Sequence, residues 1–97
     1  MRRVAVFTTL MMIAAAPAVR ADGVARVMAD TCTACHSTEI HSFIPTLAGR
    51  PAGELLRMLL AFRDGGRVAT IMDRIAKGYS REQLGAIAGE LSARGAP

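Results

Sequence analysis

Ninety-seven residues leave room for a single domain. The chain carries 12 Lys and Arg against 8 Asp and Glu, a formal charge of +4, but Arg2, Arg3 and Arg20 lie in an N-terminal segment that is not expected to belong to the fold. The basic balance therefore makes no case for nucleic-acid binding.

That segment has three parts. Met1-Arg2-Arg3 is a short basic start, Val4 to Ala16 is a run of 13 residues without charge, and small residues follow through Ala21. This is the pattern of a secretory signal peptide. A spanning helix needs ~20 apolar residues, more than this run offers; an uncleaved N-terminal anchor is the alternative. Cleavage is expected after Ala21, with a cut after Ala18 as second choice. Residues 1–21 are then signal and 22–97 the mature domain, periplasmic and without a membrane span. Nine basic and eight acidic residues remain in it. Its aromatic side chains are Phe43, Phe62 and Tyr79, with no Trp. So short a chain, poor in aromatic residues, needs something besides its own side chains to close a core.

Residues 23–31 read as a short helix with Val24, Val27 and Met28 on one face. It leads into Cys32-Thr33-Ala34-Cys35-His36, which holds both cysteines of the chain. In an exported chain such a pair has four readings. A disulfide across so short a loop removes little chain entropy. A thioredoxin-like redox pair belongs in a βαβ setting that is missing here. A zinc site needs two more ligands, and His36 and His41 do not stand at zinc-finger spacing. Covalent haem attachment is what C-x-x-C-H signals. Two thiols add to the two vinyl groups on one porphyrin edge, and the following imidazole comes under the iron.

Residues 37–50, with Pro45 and Gly49, read as a loop. Pro51 opens a second helix where a missing N–H costs nothing, and Leu55, Leu56, Leu59, Leu60 and Phe62 form its apolar side. Asp64-Gly65-Gly66 ends it. One or two helical turns around Met72 to Lys77 follow, closed by Gly78. Ser80 and Gln83 make a capping box for a last helix that runs to about Arg94, with Leu84, Ile87, Ala88 and Leu91 inward. No segment alternates for long enough to be a strand, so the expected class is all-α. Of the methionines outside the signal, Met28 is too near Cys32 to return over the iron, and Met58 reads as core filler. Met72 lies in a loop position 36 residues beyond His36, far enough to cross to the opposite haem face. Met72 is the expected sixth ligand, with His41 as rival and packing as the other role for Met72.

The order helix, C-x-x-C-H, loop with Pro, helix, loop Met, helix resembles class I cytochromes c. The segments 45–49, 61–65 and 70–80 are more specific and resemble the cytochrome subunit of flavocytochrome c, a sulfide dehydrogenase. The resemblance implies a small helical fold wrapped around one haem c. Cys32 and Cys35 would hold it covalently, His36 and Met72 would ligate its iron, and Pro45 would lie near the His36 side. It also implies an FAD-containing flavoprotein partner that oxidises sulfide, and a downstream cytochrome or other acceptor. The chain departs from the family at Ser37, where Gly is common, in a shortened loop from Ser37 to Phe43, and in lacking an aromatic pair after Leu91.

Two roles share this haem chemistry, a subunit of the dehydrogenase and a free periplasmic shuttle. In both the chain transfers electrons and breaks no substrate bond itself. A gas-binding sensor is the third class, and a thioether in the sixth position argues against it. The apolar pair Phe43-Ile44 and the near-zero mature charge lean toward the subunit.

Overall fold

The computed structural model describes residues 21–37 and 43–95. Residues 1–20 of the expected signal peptide and His41 lie outside them, while Ala21, its expected last residue, is described. Four helices follow one another: α1 (Ala21–His36), α2 (Ala52–Arg63), α3 (Met72–Lys77) and α4 (Arg81–Ala93). The described residues contain no strand. None of these helices is long and apolar enough to cross a membrane.

α1 runs further than its sequence pattern predicts. It continues through Cys32 to His36 instead of stopping near Thr31, because the stretch holds no Gly or Pro. The two threonines here turn their hydroxyls back one turn, Thr31 Oγ1 donating to the Met28 carbonyl at 2.6 Å and Thr33 Oγ1 to the Asp30 carbonyl at 2.7 Å. The buried face also differs. Val24 and Val27 are 44% and 65% exposed, while Ala25 and Ala29 are buried. The alanine face lets α1 come close to α4, and the larger valines are left outside.

Pro51 stands just before α2, as its N-cap rather than its first helical residue. Its carbonyl accepts the Leu55 N–H at 3.1 Å. The helix ends in a Schellman pattern: Gly65 takes φ 79°, and Gly66 N–H reaches the Ala61 carbonyl at 2.8 Å. Gly65 is needed there because a side chain is strained at that φ. α4 opens on the expected capping box, with Gln83 N–H donating to Ser80 Oγ at 3.1 Å and Ser80 N–H to Gln83 Oε1 at 2.8 Å.

α4 packs against both α1 and α2, and α2 also packs against α3. The core between them is Ala29, Leu47, Leu55, Leu59, Leu84, Ile87, Ala88 and Leu91. Leu55, Leu84, Ile87 and Leu91 are fully buried, each burial stabilising by about 1.5–3 kcal/mol. Arg94 fastens the ends of α1 and α4, pairing with Asp30 at 2.8 Å and Glu90 at 3.5 Å. The loop before α2 is tied to the same place by Gly49 N–H donating to the Leu91 carbonyl at 3.0 Å. Tyr79, after α3, lies with its hydroxyl 3.2 Å from Thr31 Oγ1, which joins that segment to α1.

Candidate functional site

The continuous α1 sets the geometry of the cysteine motif. Ala25, Ala29, Cys32 and His36 follow at spacings of four, three and four, so one helical face carries the buried alanines, then the first thiol, then the imidazole. Cys32 is half-buried against the core and Cys35 is exposed; both are free thiols. Burial pushes the Cys32 thiol above its usual range, opposed by a hydrogen bond from Thr31 and the positive charge of Arg94.

His36 is half-buried, with Nδ1 2.7 Å from the Pro45 carbonyl. A carbonyl can only accept, so Nδ1 carries the proton and Nε2 keeps its lone pair. One nitrogen anchors the ring and the other has no hydrogen bond to the protein among the described residues. The expected nearness of Pro45 to His36 is thus a direct hydrogen bond.

His36 and Met72 line one cavity of about 250 Å³. Its wall is largely apolar. α2 supplies Leu55, Met58, Leu59 and Phe62, which recur at one helical face. Met72 is half-buried and is the first residue of α3, where the helical turns were expected to begin, and so is not a residue of the loop before it. Met58 is more than core filler, since its side chain reaches the cavity that holds Met72. Its place in the Leu55–Phe62 register was the sequence signal for this. Arg50 and Arg67 also line the cavity. Nothing in the sequence marks them, because an arginine next to glycines reads as a solvated turn residue. Phe43 and Ile44 are not part of the wall.

No family model matches the chain. Curated relatives do. The cytochrome subunit of sulfide dehydrogenase from Chlorobaculum tepidum is 34% identical over 79 residues, covering 77% of this chain and 72% of that protein. The chain belongs to the cytochrome c family. The thiosulfate dehydrogenase electron acceptor of Stutzerimonas stutzeri is 37% identical across 77% of the chain. Cytochrome c-552 of Acidithiobacillus ferridurans is 33% identical across 72%. The matched stretch is a smaller part of these two, 37% and 31% of their lengths.

A cytochrome c takes haem, and the site's chemistry suits that group. The cavity offers an imidazole with a free ring nitrogen, two thioethers, and apolar walls. The two thiols stand three residues apart at the helix end that carries the imidazole. Soft sulfur and imidazole donors are those that haem iron accepts.

Proposed function

We propose that the chain is the haem subunit of a sulfide-oxidising dehydrogenase. It accepts electrons from an FAD-containing flavoprotein and passes them to a downstream cytochrome or other acceptor. The observation that carries this reading is the match to the Chlorobaculum tepidum cytochrome subunit across most of both chains. A second relative is also named for accepting electrons from the oxidation of an inorganic sulfur compound.

In this reading Cys32 and Cys35 would hold one haem through thioether bonds, and His36 and Met72 would ligate its iron. When bound, the group supplies a one-electron ferric/ferrous couple whose potential is raised by thioether and imidazole ligation. The chain's own residues do the rest. Pro45 fixes the His36 tautomer and ring direction. Leu47, Leu55, Leu59 and Phe62 keep water from the cavity. A flavin takes two electrons from sulfide together and releases them singly, which is the delivery a one-electron acceptor requires. Residues 1–21 direct export and are removed, and residues 22–97 work in the periplasm.

The test is purification of the chain from its source under mild conditions. A stoichiometric flavin-bearing partner and haem reduction on adding sulfide are expected. A cytochrome that elutes alone and is not reduced through any flavoprotein is a free shuttle, and the subunit reading fails.

A further inference from the structure

Tyr79 stands between α3 and α4, half-buried against the core. Its hydroxyl lies 3.2 Å from Thr31 Oγ1. Thr31 already donates its own proton to the Met28 carbonyl at 2.6 Å. A hydroxyl has one proton, so Tyr79 is the donor and Thr31 Oγ1 the acceptor. The bonds therefore run in one direction, from Tyr79 to Thr31 to the Met28 carbonyl, and each polarises the next. Thr31 is the residue before Cys32, so this chain of bonds ends on the turn of α1 that leads into the first thiol.

The backbone of Tyr79 is tied as well. Its carbonyl accepts from Nε of Arg63, the last residue of α2, at 3.1 Å. Its N–H donates to the Ala76 carbonyl of α3 at 3.2 Å. One residue thus joins α1, α2 and α3 where the Met72 segment returns to the body of the domain. α3 has six residues, of which Ala76 is the buried one. So short a helix has little packing of its own, and a side-chain tie at its end carries more of its local stability.

We propose that Tyr79 is a positioning residue for Met72: its hydrogen bond to Thr31 closes segment 72–79 against α1 and sets how readily the Met72 sulfur leaves the iron. The proposal rests on haem ligation by His36 and Met72. Tyr79 is not among the residues lining the cavity, so it acts through the segment that carries Met72. When that segment opens, the bond to Thr31 is lost to water. One such bond shifts the opening equilibrium by roughly two- to tenfold.

Imidazole binding to the ferric, haem-loaded protein measures the opening, because added imidazole takes the iron only when the thioether is off it. The readout is loss of the weak far-red ferric band of sulfur-to-iron bonding. Tyr79→Phe keeps the ring and removes the hydroxyl, and should bind imidazole roughly two- to tenfold more tightly than wild type. Thr31→Val removes the acceptor and should give the same gain, while Thr31→Ser keeps the hydroxyl and should bind as wild type does. The double variant Tyr79→Phe with Thr31→Val should gain no more than either change alone. Ile87→Val lowers stability elsewhere in the core and should leave imidazole affinity unchanged, which separates the effect from a general loosening of the fold. Affinities of Tyr79→Phe and Thr31→Val that match wild type would overturn the proposal, whatever happens to the melting temperature. So would a gain in Ile87→Val as large as that in Tyr79→Phe. A far-red band that survives Met72→Ala would instead overturn the ligand assignment beneath the proposal, so the two failures are told apart.

Discussion

Two thioethers share a cavity with His36, and in the proposed reading only one of them would ligate the haem iron. Met58 is fixed between Leu55 and Leu59 inside a helix of 12 residues. Met72 stands at the first residue of a six-residue helix, in the stretch between Gly66 and Gly78 that reaches the cavity from another side. A ligand must adjust to the iron, and the end of a short element adjusts more readily than the middle of a packed one. Met72→Ala should therefore abolish the weak far-red ferric band of sulfur-to-iron bonding, lower the potential and admit added ligands, while Met58→Ala keeps the band. Retention of the band in Met72→Ala would assign the bond to Met58. At the level of residues the motif was legible, because Cys32, Cys35 and His36 fall within five consecutive positions and their spacing is itself the signal. Pro45 came through the family resemblance. Arg67 did not come through at all, since only the Gly65–Gly66 reversal brings it over the Phe62 ring.

At the level of elements, local chemistry made α4 readable and misplaced the face of α1. Ser80 and Gln83 state where α4 begins, and the four inward positions recur at helical spacing; all four are buried. For α1 the valines outrank the alanines in hydropathy. Close approach to α4 selects small side chains, and that requirement is a property of the pair of helices. Helix propensity yields a test on α4. Gly89 is exposed in its interior, and a Cβ built there meets nothing within 4 Å. Gly89→Ala should stabilise by about 0.5–1 kcal/mol. For a domain of this size that is a rise of roughly 2–8 °C in melting temperature by circular dichroism. A fall would mean that this face of α4 is not open in the folded protein. Ser80→Ala should act in the opposite direction, losing about 1 kcal/mol with the capping bond.

For the whole molecule, the small core and the cavity beside it make haem part of the folding problem. Eight buried side chains, two of them alanine, close the centre, and anything that fills the cavity in the folded state alone adds its binding energy to stability. Cys32→Ala with Cys35→Ala, or expression without haem attachment, should give a largely unfolded chain in far-UV circular dichroism; native-like helix content would defeat the expectation. The partner poses the last question. The exposed apolar side chains among the described residues include two sets, Val24 and Val27 on α1, and Phe43, Val68 and Ile71 around the cavity-lining segments. Val68 is 98% exposed and lies between Arg67 and Met72, both of which line the cavity. Electron transfer weakens steeply with distance, so a flavoprotein should dock where the cavity wall meets solvent, over Val68, Ile71 and Phe43, and not on α1. Apolar side chains this exposed are what a stable subunit contact covers. Val68→Glu should weaken flavoprotein binding by an order of magnitude or more, as expected for a buried interface charge. Its haem spectrum and melting temperature should stay near wild type, because Val68 is almost fully exposed. Val27→Glu, an equally conservative test of the other set, should leave binding unchanged. If Val27→Glu releases the flavoprotein and Val68→Glu does not, the partner sits on α1, and electrons must reach the cavity by a longer path than this docking face provides.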